Sequence, residues 1–117
     1  MNVTFFEVDG VLNFEGSEAK APDGSAGIAE ARVKALKKQT EKEDSKLVLF
    51  GSWCKDWDFD TSKCTPKGTY LNKKLERRGL HILDKTKNEN PDSIKEWLSR
   101  HSNVTSFTVL KSGDMPG

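Results

Sequence analysis

Four short apolar runs punctuate the chain, and longer polar stretches with apolar residues at helical spacing separate them. The apolar runs occupy residues 2–8, 46–50, 80–83 and 104–110. Nearly continuous apolar character over so few residues is typical of strands in a parallel sheet, which are buried on both faces. The intervening pattern predicts helices over 25–42, over 69–78 and from Asn90-Pro91 onward. The order β-α-β-α-β-α-β predicts an α/β fold: a parallel sheet with helices on both faces.

Local signals set the expected element boundaries. Ser25 is a candidate N-cap for the first helix, and Gly79 is a candidate stop for the second. Residues 14–24 are turn-rich and polar, so we expect a short flap over the end of the first strand. Residues 54–66 contain aromatic residues without a helical or strand period, so we expect a loop. With no repeat or linker, the pattern predicts one domain over residues 1–117.

Composition excludes several classes of protein. The formal net charge is only +1, so no overall field favours nucleic acid or an anionic membrane. The mean hydropathy is −0.69, and no apolar run approaches the roughly 18 residues of a membrane span. The first residues lack the pattern of a signal peptide, which leads us to expect a cytoplasmic protein.

The thiols and imidazoles give no metal-site pattern. Cys54 and Cys64 have no common zinc spacing, and His81 and His101 lie in different predicted elements. We therefore expect free thiols.

The candidate chemistry lies where the first two strands end. Glu7 and Asp9 are two residues apart at the end of the first strand, with Gly10 allowing a turn, and Ser52 follows the second strand. The carboxyl ends of parallel strands meet at one edge of a sheet, where such folds bind ligands. Two carboxylates there can bind a hard cation such as Mg²⁺ or divide the roles of nucleophile and acid.

Two motifs carry a family resemblance. The stretches Glu-Val-Asp-Gly-Val-Leu-Asn (7–13) and Val-Leu-Phe-Gly-Ser-Trp (48–53) resemble the first and second motifs of the haloacid dehalogenase (HAD) superfamily of phosphohydrolases. Together with 93–98 and 107–110, they are most similar to the compact HAD domain of Swiss-army-knife RNA-repair proteins. The resemblance implies a three-layer, Rossmann-like HAD fold, and we predict the strand order 4-1-2-3.

The resemblance also implies roles for individual residues. Glu7 stands where the family has its nucleophilic Asp, Asp9 matches the general acid and base, and Ser52 matches the hydroxyl that grips the phosphoryl group. The family's charge-steadying lysine has two loose candidates, Lys85 and Lys87, of which we favour Lys87. In the alternative, non-functional interpretation, Ser52 is an ordinary turn residue and both lysines are simply exposed to solvent.

The metal site that the resemblance implies is incomplete. The family places paired acids after its fourth strand, where this chain has Lys111-Ser112, with Asp114 further on. Glu7, Asp9 and Asp114 remain as candidate Mg²⁺ ligands, and we expect weak binding because Lys111 repels a cation. Tryptophans 53, 57 and 97 are expected to pack in the core.

These departures lead to a hypothesis of function. We expect a HAD-like domain of phosphohydrolase ancestry with a degenerate active site and weak or no phosphatase activity. The alternative is an active Mg²⁺-dependent phosphatase. Its ligand would be a phosphate-containing small molecule or a nucleic-acid end.

Overall fold

Four parallel strands form one sheet in the computed structural model, which describes residues 1–112. The strands are β1 (Asn2–Phe6), β2 (Ser45–Leu49), β3 (Ile82–Lys85) and β4 (Ser106–Leu110). The helices are α1 (Glu30–Glu43), α2 (Pro66–Glu76) and α3 (Asp92–Ser99). The strand order β3-β2-β1-β4 is the predicted order 4-1-2-3 seen from the opposite edge, so the predicted fold class is confirmed.

Alternation of side chains along the two inner strands builds a core on each face of the sheet. Val3 and Phe5 of β1 pack with Trp97 of α3, and the rings of Phe5 and Trp97 meet edge to face at 5.4 Å. The side chain of Phe6 points to the other face and packs with Leu36 of α1 in the larger core. The successive residues face opposite sides because the side-chain period of a strand is two, and the result is three layers.

Helix α1 begins at Glu30, so the predicted start near Ser25 is wrong. The backbone amide and hydroxyl of Ser25 both donate to Asp23 Oδ1, at 3.0 and 2.5 Å. A bridge between Lys20 and Ala26 continues this irregular structure. The local turn therefore takes the hydrogen-bonding groups that a helix N-terminus would have used.

Helix α2 begins at Pro66, three residues before the predicted start. The Thr65 hydroxyl accepts a hydrogen bond from the Gly68 amide at 3.3 Å, and Pro66 occupies the first helical turn. The segment expected to be a loop contains two short 3₁₀ helices, Ser52–Asp56 and Thr61–Lys63. The chain therefore carries the end of β2 into α2 through short helical turns.

Strand β3 lies two residues later than predicted. Helix α2 ends at Glu76, two residues before the predicted end at Arg78, and Gly79, with a φ of +74°, lies in the turn that follows. In that turn the Leu80 amide donates to the Leu75 carbonyl at 3.0 Å. This closing turn occupies Leu80, so the strand begins at Ile82 and continues through Lys85. Within residues 1–112, no helix is both long and apolar enough to cross a membrane.

Candidate active site

The carboxyl ends of β1 and β2 place their polar residues against each other. The Phe50 amide donates to the Phe6 carbonyl at 2.9 Å, which keeps the two chains together just past the strands. Beyond this point, the Ser52 hydroxyl donates to Asp9 Oδ2 at 2.9 Å. The structure therefore brings together Asp9 and Ser52, two of the three residues that the sequence placed at this edge.

The second oxygen of the Asp9 carboxylate accepts two more hydrogen bonds. The Trp53 indole N–H donates to Oδ1 at 3.0 Å, and the Asn13 amide donates to the same atom at 2.9 Å. Partial burial opposes ionisation, but these two bonds and the bond from Ser52 outweigh it, so the pKa of Asp9 lies below its usual value near 3.8. The Asp9 carboxylate is therefore ionised at neutral pH.

Backbone hydrogen bonds hold the loop after β1 in one shape. Gly10 has a φ of +82°, and its amide donates to the Asn13 side-chain oxygen at 2.9 Å. The Val8 carbonyl accepts backbone amides from residues 11–13, as in a single helical turn. From α1, the guanidinium of the buried Arg32 donates to the Val11 carbonyl at 3.1 Å. Asp9 consequently sits on a loop that is fixed from both sides.

Glu7 lies directly after β1, with its side chain against the turn that follows β2. Its amide donates to the Leu110 carbonyl of β4 at 3.1 Å. Gly51 has a φ of +96°, and a Cβ added to it would lie only 3.1 Å from the Glu7 Cγ. The site thus accommodates the longer glutamate partly because residue 51 has no side chain.

The two candidate lysines have different environments. The Lys85 ammonium donates to the backbone carbonyls of Cys54, at 2.7 Å, and Trp57. Lys87 is exposed and, with Ser52, lines an open cavity of about 250 Å³. Of the two, only Lys87 lines the cavity with Ser52, and Lys85 ties the end of β3 to the 3₁₀ segment.

The end of β4 also reaches the site. Ser112 lies against the Gly10 turn so closely that a Cβ on Gly10 would overlap its hydroxyl. The position that the family fills with acids is thus near Asp9 in this chain, but it holds Lys111 and Ser112. Asp114, the third predicted metal ligand, lies outside the described residues.

The described residues do not fit a dedicated Mg²⁺ site. Within residues 1–112, no group of three or more acidic, histidine or cysteine side chains could hold a metal ion. Each oxygen of Asp9 already accepts at least one hydrogen bond. Among the described residues, Glu7 and Asp9 could therefore supply at most part of the near-octahedral oxygen shell of Mg²⁺, with water and ligand oxygens supplying the rest.

Three residues that sequence reasoning did not assign to the site take part in it. Asn13 and Trp53 donate to Asp9, and the Lys67 ammonium lies over the Trp53 ring, 4.2 Å from its centroid. Trp53 is only 1% exposed, which confirms that it packs in the core. Its indole N–H has a second role as a hydrogen-bond donor to Asp9. Asn13 and Trp53 are the last residues of the two quoted motifs, and that position could have suggested them. Lys67 gave no signal, because the start of α2 was predicted too late.

Comparison with known families agrees with this geometry. The family described as the HAD domain in Swiss Army Knife RNA repair proteins matches the chain over residues 3–115. No curated protein and no solved structure gives a match. The family match spans both motifs, the sheet and all three helices. The chain therefore belongs to the HAD domain family of Swiss Army Knife RNA repair proteins, and its ancestry is that of a phosphohydrolase.

Proposed function

We propose that this domain binds a phosphate ester at the Asp9–Ser52 site and hydrolyses it weakly or not at all. The observation that carries the proposal is the hydrogen bonding of Asp9, whose carboxylate accepts from Ser52, Trp53 and Asn13. These donors stabilise the ionised carboxylate, against the effect of its partial burial, and the pKa is lowered as a result.

An ionised Asp9 is a poor general acid. In the family to which the chain belongs, this position is the one that protonates the leaving oxygen of the ester. A general acid is most effective when its pKa lies near the working pH, and such catalysis contributes about 10²–10⁴-fold to the rate. Without it, only esters whose leaving group needs no proton can react at a useful rate.

Glu7 weakens the nucleophilic attack on the phosphoryl group, the step that the family's Asp performs at this position. Its extra methylene moves the attacking oxygen forward by roughly 1 Å, and a displacement of that size in an in-line reaction costs on the order of 10²-fold. Lys111 and Ser112 add to the loss because they place a cation and a hydroxyl where the family has acids. Residues that act as a unit are strongly non-additive, so correcting Glu7 alone should recover little.

Binding is better supported than turnover. Ser52 and the exposed Lys87 line the same open cavity, together with Glu89, so Lys87 offers a positive charge to phosphoryl oxygens there. The Ser52 hydroxyl donates to Asp9 and would have to turn away from it to donate to a phosphoryl oxygen. Glu7 packs against the adjoining turn at Gly51, at the edge of this cavity. This arrangement favours a phosphate monoester as the ligand, either a small molecule or a nucleic-acid end.

The test compares two substrates that differ in the leaving group. With Mg²⁺ present, we expect the unmodified chain to hydrolyse neither an aryl nor an alkyl phosphate above background. The triple variant Glu7→Asp, Lys111→Asp, Ser112→Asp should hydrolyse the aryl phosphate, whose leaving group needs no proton, but not the alkyl phosphate. Glu7→Asp alone serves as the matched control.

The alternative function is an active Mg²⁺-dependent phosphatase acting on nucleic-acid ends or small esters. Robust hydrolysis of the alkyl phosphate or of a 5′- or 3′-phosphorylated RNA by the unmodified chain, abolished by Asp9→Asn, would establish that alternative. It would also show that Asp9 can carry a proton during the reaction.

A further inference from the structure

Lys67 is a cation that the structure places beside the candidate site, against the Trp53 ring. It lies in the first turn of α2, and its ammonium is 4.2 Å from the centroid of the Trp53 ring. The N–H of that same ring donates to Asp9 at 3.0 Å. Only 21% of the Lys67 side chain is exposed, so the aromatic face and the helix restrict where its charge can lie.

The positive charge of Lys67 stabilises the ionised form of Asp9. Burial and the three side-chain donors have the larger effects on the pKa of Asp9, and attraction to Lys67 lowers it further. A phosphate brought to this site approaches two carboxylates, Glu7 and Asp9, and needs a nearby cation to offset their repulsion. Lys85 is already committed to two backbone carbonyls. Lys87 lines the cavity at Ser52, whereas Lys67 lines a neighbouring cavity with Asp23, so the two lysines are separate sources of positive charge near the site.

Lys67 has a second partner in the flap of residues 14–24. Its ammonium lies 3.4 Å from Asp23 Oδ2. Hydrogen bonds from the Ser25 hydroxyl and amide lower the pKa of Asp23 to about 2, so this carboxylate is charged at any working pH. The flap is consequently attached, through one ion pair, to the same lysine that stands beside Asp9. An ion pair this exposed is weak and can be exchanged for another anion.

We propose that Lys67 binds the phosphoryl oxygens of the ligand and that Asp23 of the flap competes with the ligand for it. This inference rests on the proposed function, because it assumes that a phosphate binds at Asp9 and Ser52. It adds a phosphate-binding residue from α2, an element that the two sequence motifs do not include. Ligand binding would release Asp23 and loosen the flap, and loss of the ligand would restore the ion pair.

The experiment is a titration with inorganic phosphate at constant ionic strength, followed by the backbone amide signals of Ser52 and the Gly10 turn. Lys67→Met keeps the aliphatic stem but removes the charge, and should weaken phosphate binding by about tenfold or more. Asp23→Asn removes the competitor and should tighten binding by about threefold. Lys73→Met is the matched control, since it removes an exposed charge from the same helix and should have little effect.

The outcomes separate this inference from the proposed function. If the unmodified chain binds phosphate and a folded Lys67→Met variant binds it equally well, the inference is overturned and the proposed function stands. If the unmodified chain shows no phosphate binding, both fail. Should Lys67→Met not fold, the Asp23→Asn arm decides: unchanged affinity overturns the inference, and tighter binding together with retained binding in Lys67→Arg supports it.

Discussion

Replacing Asp9 by asparagine isolates the effect of its charge, because the amide can keep the same hydrogen-bond connections. The Asn oxygen can still accept from Trp53 and Asn13, and the Ser52 hydroxyl can rotate to accept from the new NH₂ group. The variant therefore loses the ionic character of three hydrogen bonds without leaving a partner unsatisfied. This makes the folding free energy a direct readout of how strongly the site stabilises the ionised form.

The size of the effect follows from the number of bonds and their exposure. A hydrogen bond to a charged acceptor contributes about 1 kcal/mol more than one between neutral groups, which gives roughly 3 kcal/mol for three. Asp9 as a whole is exposed to solvent, and screening reduces such terms substantially. We expect Asp9→Asn to lower the free energy of unfolding by about 1–2 kcal/mol at pH 7.

The charge on Asp9 should stabilise the fold at neutral pH and cease to do so in acid. The pKa of Asp9 is lower in the folded chain than its usual value near 3.8, so the charge stabilises the fold fully above that value. The stabilisation is lost as the pH falls through the lowered pKa. Urea unfolding of both chains should therefore show a difference at pH 7 that narrows on acidification below pH 4 or so.

The matched control is Asp44→Asn, which changes an exposed carboxylate at the end of α1. Asp44 has a φ of 49°, a left-handed conformation that asparagine tolerates well, so its replacement should change stability little at any pH. A difference between the unmodified chain and Asp9→Asn that is as large at pH 2 as at pH 7 would refute the assignment of an ionised, stabilised Asp9. So would a variant that is fully stable at pH 7.

Three further predictions test other parts of the site. In urea unfolding, Gly10→Ala should destabilise the chain by about 2 kcal/mol more than Gly16→Ala. Both glycines have a positive φ, but only at Gly10 would the new Cβ also meet a neighbouring side chain, that of Ser112. Equal losses of stability would show that the end of β4 does not pack there. Lys85→Met should cost about 2 kcal/mol because two carbonyls lose their donor, whereas Lys87→Met should stay within about 0.5 kcal/mol. The reverse ranking would mean that Lys85 is not the structural lysine. Mg²⁺ should shift the amide signals around Asp9 only in the millimolar range; saturation at micromolar concentrations would reveal a better site than the described donors provide.

Local patterns in the sequence were enough to predict the architecture and to place the candidate residues at one edge of the sheet. Short apolar runs separated by amphipathic stretches are local patterns, and right-handed connections then allow few arrangements of the sheet. Glu7, Asp9 and Ser52 could be placed at one edge for the same reason, since the end of a strand can be recognised from neighbouring residues. The first residues of the helices were predicted less accurately, because a local turn at Ser25 took the place of the expected helix cap.

Which side chains meet at that edge became visible only in the folded chain. Trp53 and Ser52 lie more than forty residues from Asp9 in sequence, and whether their donors reach its two oxygens depends on the conformation of both loops. The two lysines show the same dependence: Lys85 is the last residue of β3 and its ammonium meets backbone carbonyls, whereas Lys87 lies just past the strand and lines the cavity. Lys67 reached the site only through the packing of α2. Patterns in sequence record the periodicity of single elements, but contacts between elements depend on register and loop shape, which arise only when the chain packs.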